Sequence, residues 1–308
     1  MEHYSVLLDE SIKALNVKED GIYVDGTLGR AGHSLAILKQ LSNGKLFAFD
    51  KDSQAIVESS KKLVGYSNCQ LIHSDFRNLK TELNSRGIEF IDGMILDLGV
   101  SSPQFDDSNR GFSYRYDSRL DMRMDLSSKL SAYEVVNLYD EERLVQILKD
   151  YGEESFAKPI AKAIVKQRPI ETTFQLVEVI KSALPAKILA KHKHPAKQTF
   201  QALRIEVNDE LNALTEVLRQ AIEMLKPDGR LVVISFHSLE DRIVKNIFNE
   251  YVKTDTLDRK IPVLPTEIKE SDYQLVFKKP IEASQSELDE NNRSHSAKLR
   301  AIRRKNEN

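Results

Sequence analysis

Apolar positions along the first hundred residues gather in short runs, each followed within two residues by an acid. Ile22 to Val24 leads into Asp25-Gly26-Thr27-Leu28-Gly29-Arg30-Ala31-Gly32, Leu46 to Phe49 ends at Asp50, Cys69 to His73 ends at Ser74-Asp75-Phe76, and Ile91 to Leu96 ends at Asp97. Runs of this length bounded by turn residues predict buried strands. Between them, Leu35, Ile37, Leu38 and Leu41 recur at helical spacing, and a polar helix follows Asp50 to about Lys62. Residues 3 to 15 predict a short helix or lead-in packed across this region. Strand, turn and helix in alternation predict a doubly wound α/β sheet whose strand ends gather the ligand.

The rhythm breaks after Asp97. Phe105 to Asp125 mixes aromatics with alternating Asp and Arg and predicts an ordered loop, in which Arg110, Phe112, Arg115, Arg119 and Arg123 either reach nucleic acid or pair with neighbouring acids. From about 131 to 190 the apolar positions turn helical: Val135, Val136, Leu138 and Tyr139; Leu144, Ile147 and Leu148; Phe156, Ile160, Ala163 and Ile164; Leu176, Val177, Ile180 and Leu184. An amphipathic helix through Leu225, a turn at Lys226-Pro227-Asp228-Gly229, a strand Arg230 to Phe236 and a late strand Tyr273 to Lys278 then resume the α/β pattern. The expected division is 1–107 and 201–308 for the sheet domain, and 108–200 for an inserted helical domain.

Charge changes this picture locally. The formal net charge of the 308 residues is −2, yet Phe156 to Arg204 holds ten Lys or Arg against two acids, and Arg293 to Lys305 holds six against none. The insert is therefore the expected grip on a polyanion, through residues such as Lys162, Lys166 and Lys193, and the last residues read as a basic tail. His192 and His194 flank Lys193 without a suitable acid or cysteine cluster, so a basic loop is favoured over zinc, and no metal is expected. A single cysteine, Cys69, excludes an internal disulfide, and no apolar run approaches the roughly 20 residues of a membrane span. A soluble cytoplasmic protein is expected.

The first loop carries the candidate chemistry. Its glycines are spaced G-x-x-G-x-x-G, unlike the dinucleotide fingerprint, and no phosphate-binding G-K-[ST] follows. A tight loop followed by Asp50, placed to accept from a ribose diol, suits a nucleoside cofactor such as S-adenosylmethionine better than NAD or ATP. Phe76 can stack on an adenine or lie in the core, and Asp75 can meet the ligand or cap a helix. Asp97 opens a second centre, Asp97-Leu98-Gly99-Val100-Ser101-Ser102-Pro103-Gln104, that presents groups rather than core. His237 reads as a cap or buried partner in preference to a cleft residue.

The chain resembles the bacterial family of small-subunit (16S) ribosomal RNA cytosine-N4 methyltransferases. The matching stretches are H-x-x-V-L-L-x-E from His3, DGTLGRAGHS from Asp25, DLGVSSPQ from Asp97, RGFSY and LDMRMD between 110 and 125, YGEE-x-F-A from Tyr151, TFQALRIEVN-x-E from Thr199 and SFHSLEDRIVK from Ser235. The resemblance implies a class I, Rossmann-like methyltransferase with a helical insert after the fourth strand. It implies adenosylmethionine contacts at Ala31, Gly32, His33, Asp50, Phe76, Asp97 and Gln104, with Ala31 standing where many members have glycine. It further implies transfer to one cytosine N4 of the decoding region, within an assembled small subunit.

An exocyclic amine is a weak nucleophile because its lone pair is delocalised, so it needs acceptors for its hydrogens. Asp97 and the carbonyls of Ser101 and Ser102, shaped by Pro103, are the candidate acceptors, with Phe105, Phe112 or Tyr114 to stack the base. A methyltransferase of another RNA or of a protein amine, and a ribosome-assembly factor without catalysis, remain open readings. Oligomeric state is left open by the sequence, a dimer included.

Overall fold

The computed structural model describes residues 5–100, 104–105, 107–190, 194–253 and 270–306. They form two compact units, one of residues 1–99 and 211–308, the other of residues 100–210.

The first unit is built on a seven-stranded sheet of order β3-β2-β1-β4-β5-β7-β6. Its strands are β1 (Ile22–Asp25), β2 (Lys45–Asp50), β3 (Cys69–His73), β4 (Ile91–Asp97), β5 (Leu225–Ser235), β6 (Tyr273–Leu275) and β7 (Lys298–Arg304). Strands β1 to β5 are parallel, and β7 lies antiparallel between β5 and β6. Strand order reverses between β1 and β4, the arrangement of a doubly wound sheet whose ligand crevice opens at that switch point. This is the class I, Rossmann-like fold.

Alternation along each strand explains why the sheet needs a layer on both faces. Val24, Phe47, Phe49, Met94, Leu96, Leu231 and Val233 share one core with Leu214, Val217 and Leu218 of α11 (Glu210–Glu223) and Val244, Ile247 and Phe248 of α12 (Ser238–Val252). The intervening Tyr23, Leu46, Ala48, Ile95, Val232 and Ile234 pack with Ala14 and Leu15 of α1 (Leu8–Leu15), Ile37 and Leu38 of α2 (Gly32–Leu38), and Leu63 of α3 (Ser53–Leu63). Continuous apolar strands are the sequence form of a sheet covered on both sides. The short α4 (Leu79–Asn84) completes the crossover from β3 to β4.

Two expectations change at the carboxyl end. The segment read as a basic tail is largely strand: Leu299, Ala301 and Ile302 of β7 are buried, while Arg300 forks onto Asp241 at 2.7 and 3.1 Å. Arg303 reaches Asp228 at 3.4 Å, and Arg304 donates to the Leu225 carbonyl at 3.0 Å. Its charges are spent on closing the sheet. Lys226 to Gly229 does not end the sheet approach as a separate turn either, but lies inside β5, where the register to β4 shifts and Asp228 takes φ 61°.

The second unit is helical: α5 (Ala132–Leu138), α6 (Glu141–Asp150), α7 (Ala157–Lys166), α8 (Thr173–Ser182), α9 (Ala186–Leu189) and α10 (Lys197–Asn208). Val135, Val136, Leu144, Ile147, Leu148, Ile160, Ile164, Leu176 and Ile180 meet in one core, whereas Leu138 is exposed. Side chains start these helices: Ser131 with Glu134 and Thr172 with Gln175 form capping boxes, and Asp140 caps α6. The unit is wider than 108–200 because Phe200, Ala202, Leu203 and Val207 of α10 belong to its core.

The aromatic and arginine-rich loop is mostly structural. Phe112 is buried in the helical core, Arg110 is buried and donates to the carbonyls of Arg123 and Met124, and Arg123 forks onto Asp121 while also binding the carbonyls of Leu126 and Ser128. Arg119 lies 5.5 Å from the centre of the Tyr133 ring, and Arg115 is exposed. Among the described residues, no helix is long and apolar enough to cross a membrane.

Candidate functional site

The carboxyl ends of β1, β2 and β4 bring three acids to one edge of the sheet. Asp25, at the end of β1, is buried with both oxygens engaged: Oδ1 accepts from the Thr27 N–H at 3.0 Å and Oδ2 from the Ser34 hydroxyl at 2.6 Å. Thr27 then reaches across to β4, where its Oγ1 accepts the Asp97 N–H at 2.7 Å. The first loop and the fourth strand end are thereby locked together.

Asp50 holds the same loop from the other side. Its Oδ2 accepts the Gly29 N–H at 2.9 Å, and its Oδ1 accepts the Asp52 N–H at 2.9 Å. The Gly29 carbonyl accepts the Ser59 hydroxyl at 2.8 Å, and the Leu28 N–H donates to the Phe49 carbonyl at 2.8 Å. Gly29 (φ 47°) and Ala31 (φ 65°) both take left-handed backbone conformations that turn the chain into α2. Glycine accepts this without cost, whereas Ala31 holds it under a steric penalty. Gly26 serves packing: a Cβ there would lie 2.5 Å from Leu96 Cδ2 and 2.7 Å from Met94 Cε.

His33, one residue into α2, is buried, and its Nδ1 stands 3.7 Å from Asp97 Oδ2. Asp97 keeps 26% of its side chain exposed, while its Oδ1 is buried without a hydrogen-bond partner among the described residues. An orphaned carboxylate oxygen inside a folded protein is costly, and it marks a position where a donor is missing.

Burial sets the proton affinities of the cluster. It pushes Asp97 up to about 8, reinforced by the Asp25 and Glu240 carboxylates and opposed by Arg293. Burial also pushes Asp50 up to about 6 against the two N–H groups it accepts. Asp25 is raised by burial despite His33 and its hydrogen bonds, and burial lowers His33 although Asp25 favours its cation. Proton affinities displaced by burial and neighbouring charges are one signature of a functional site.

Phe76 and Asp75 follow β3. Asp75 caps the turn by accepting the Arg77 N–H at 3.0 Å and pairs with Lys51 at 3.7 Å, and Phe76 is partly buried against the sheet core. His237 caps α12 in a reciprocal box with Glu240, the Glu240 carboxylate accepting the N–H groups of Phe236 and His237. The structural role for His237 is the one the structure displays. Gln104 is buried and belongs to the helical unit. Ser101, Ser102, Pro103, His3, His192 and Lys193 lie outside the described residues.

Two contributors escaped the sequence reading. Glu240, buried at the start of α12, adds negative charge toward Asp97, and its signal was the acid three residues after a histidine cap. Glu287 on α13 (Gln285–Glu290) accepts the Leu7 N–H at 2.9 Å and the Ser294 hydroxyl at 2.6 Å, tying the last segment to the residue before α1. No local pattern announces a bond across 280 positions.

The donor set fits a nucleoside with a cationic appendage. Each Asp50 oxygen already holds one N–H, which fixes the carboxylate plane and leaves a lone pair on each for a vicinal diol. The unpartnered Asp97 Oδ1 offers an acceptor to an ammonium or amine hydrogen.

The model of the MraW methylase family matches residues 1–305. The chain belongs to that family. A ribosomal RNA small subunit methyltransferase H of Mesoplasma florum is 55% identical over 310 residues, covering 99% of both chains. Proteins of the same name from Exiguobacterium sibiricum and Spiroplasma kunkelii are 54% and 55% identical, over 99% and 98% of each chain respectively. Family membership thus extends over both units, the helical one as well as the sheet.

Proposed function

We infer that the protein transfers a methyl group from S-adenosylmethionine to the exocyclic N4 amine of a cytosine in the decoding region of small-subunit (16S) ribosomal RNA. The observation that carries the reading is full-length likeness, at 55% identity, to a ribosomal RNA small subunit methyltransferase H, joined to an acid cluster at the sheet's switch point. The cytoplasm is the compartment in which such a reaction meets its substrate, and the RNA is presented within an assembled small subunit.

When bound, S-adenosylmethionine supplies an electrophilic methyl group on a sulfonium. The chain's own residues hold and orient. Asp50, aligned by the Gly29 and Asp52 amides, would accept the ribose hydroxyls, and Ala31, Gly32, His33 and Phe76 would hold the rest of the cofactor. We assign Gln104 to the cofactor and Ser101, Ser102 and Pro103 to the target amine.

Asp97 is the group we assign to the target amine. Its unpartnered Oδ1 accepts an N4 hydrogen, drawing the nitrogen lone pair out of conjugation as attack proceeds. With a proton affinity raised to about 8, the ionised form that can take up the released proton is the minority near neutral pH in the free protein, and a bound sulfonium cation favours it. Phe112 is buried in the helical core, and one face of Tyr114 is already stacked on His194 at 4.0 Å, which leaves Phe105 and the other face of Tyr114 to stack the base.

The deciding experiment incubates the protein with labelled S-adenosylmethionine and small subunits lacking the modification, then locates the methyl group by mass spectrometry. Label on a cytosine N4 is the expected result, abolished by Asp97→Ala with an unchanged circular dichroism spectrum. Label on another RNA or on protein overturns the substrate, and no label at all leaves an assembly factor without catalysis.

A further inference from the structure

Helix α7 carries Lys158, Lys162 and Lys166 at successive four-residue intervals, and all three are exposed. Four residues advance about 6 Å along a helix and return to nearly the same side, so the three ammonium groups form one row. The opposite side of α7, with Ala157, Ile160, Ala161 and Ile164, is buried in the helical core. The row is therefore anchored on a rigid element.

Among the described residues, no partner neutralises it. No acid occurs between Phe156 and Ile170. Among the described residues the three lysines take part in no ion pair or hydrogen bond, whereas Arg168, the other cation of the stretch, is turned inward onto the carbonyls of Val136 and Tyr139. Four other cations of the unit are ion-paired: Arg123 with Asp121, Arg143 with Glu206, Lys181 with Glu178 and Arg204 with Glu210.

The placement is also unfavourable within α7 itself. Like charges four residues apart repel, and Lys158 sits in the first turn, where the positive end of the helix dipole disfavours a cation and an acid is the ordinary occupant. No acid stands in that first turn. A chain optimised for the helix alone would interleave acids, as α6 does with Glu141 and Glu142 at its start and Lys149 at its end.

We propose that the lysine row of α7 is a phosphate-tracking surface that grips the backbone of the ribosomal RNA substrate. Evenly spaced point charges on a straight rod match the repeating phosphates of one strand and read no sequence, which suits a positioning contact. The proposal rests on the RNA reading above. It adds the face of the helical unit that the substrate crosses.

The test compares Lys158→Glu/Lys162→Glu/Lys166→Glu with a control of equal charge change, Lys13→Glu/Lys39→Glu/Lys61→Glu, on exposed positions of the sheet unit. Affinity for small subunits and for a naked fragment of their RNA is measured against salt concentration, alongside S-adenosylmethionine binding and thermal melting. The row variant should weaken binding to both RNA forms and flatten the slope of log K against log salt by about 2 to 3 relative to the native protein. Cofactor affinity should stay unchanged and the melting temperature should hold or rise. An unchanged slope, or one flattened equally by the control, overturns the proposal. Lost binding to subunits with intact binding to naked RNA also overturns it, in favour of an acidic ribosomal protein. Absence of methyl transfer by the native protein would sink the enzymatic reading without touching this comparison.

Discussion

The amide of Asp97 donates to the hydroxyl of Thr27 across 2.7 Å, joining the end of β4 to the loop after β1. The same threonine donates its own N–H to Asp25, so one side chain and one peptide position both acids. The acceptor of the proposed reaction is aimed by its backbone, and the aim depends on a single hydroxyl.

Thr27→Val keeps the shape and removes that hydroxyl, leaving the Asp97 N–H without its acceptor. A loss of about 1 to 3 kcal/mol of stability is expected. Methyl transfer should fall at least about tenfold in single-turnover measurements, with S-adenosylmethionine affinity much less affected. Thr27→Ser should restore both. Equal losses in affinity and rate would show that the hydroxyl serves the fold alone.

Asp97 binds its proton more tightly folded than unfolded, so the sign of its linkage is set. With a folded value of about 8 against an ordinary 3.8, its contribution to stability is intact below pH 4 and disappears as pH climbs toward 8. Asp97→Asn removes this dependence. The variant should equal the native protein near pH 4 and exceed it by about 2 to 5 kcal/mol at pH 9, read from urea denaturation across pH. A gap that does not widen with pH would contradict the buried, charge-crowded environment assigned to this carboxylate.

Cofactor binding should share that titration. A cationic ligand prefers ionised Asp97, so S-adenosylmethionine affinity should increase from pH 6 to pH 8 and then level off. Calorimetry of the native protein and Asp97→Asn across this range measures it, and the variant should show a flatter profile. Identical profiles would place the cation away from Asp97.

Ala31 is buried and left-handed, at φ 65°. Ala31→Gly relieves backbone strain of about 1 to 2 kcal/mol while losing a buried methyl and gaining unfolded-chain entropy, so stability should stay within about 1 kcal/mol of the native value. Ala31→Val adds β-branching where the backbone tolerates it least and should cost at least about 2 kcal/mol. Chemical denaturation of the pair checks both, and a well-tolerated valine would argue against the left-handed turn.

Arg300 and Asp241 form a fork with about 15% exposure on each side. Removing one partner of such a half-desolvated pair should cost about 2 to 3 kcal/mol, and Arg300→Ala combined with Asp241→Asn should cost less than the two singles added together. Denaturation of the full cycle measures the coupling. A variant that lost RNA binding with stability intact would return this arginine to a substrate-contacting role.

The sheet's first half was legible because its strands are short, largely apolar runs followed by an acid, and Asp25, Asp50 and Asp97 at those ends form the candidate site. The helices of the second unit were legible for the related reason that Val135, Leu144, Ile160 and Leu176 repeat with the helical period. What escaped depends on partners distant in sequence. β7 alternates Leu299 and Ala301 with arginines, but six cations in thirteen residues hide a strand whose counter-charges lie on Asp228 and Asp241. Arg110 and Arg123 looked equally able to reach outward, and they turn inward because the carbonyls of their own loop need donors. The orphaned oxygen of Asp97 has no sequence signature at all; only the folded arrangement shows which of three acids is left unpaired.

The interior position of β7 carries a consequence for how the chain comes to be made. Strands β5 and β6 are joined only through Lys298–Arg304, which follows both of them in the chain. The helical unit is one uninterrupted stretch that can condense as a unit during synthesis, while the sheet around the candidate methyl-donor site stays incomplete until residues 298–304 have been made. A nascent polypeptide stalled short of residue 298 would thus carry the proposed lysine row of α7 on a finished helical unit beside an unfinished sheet, and if that row grips RNA it could occupy a substrate that it cannot yet modify.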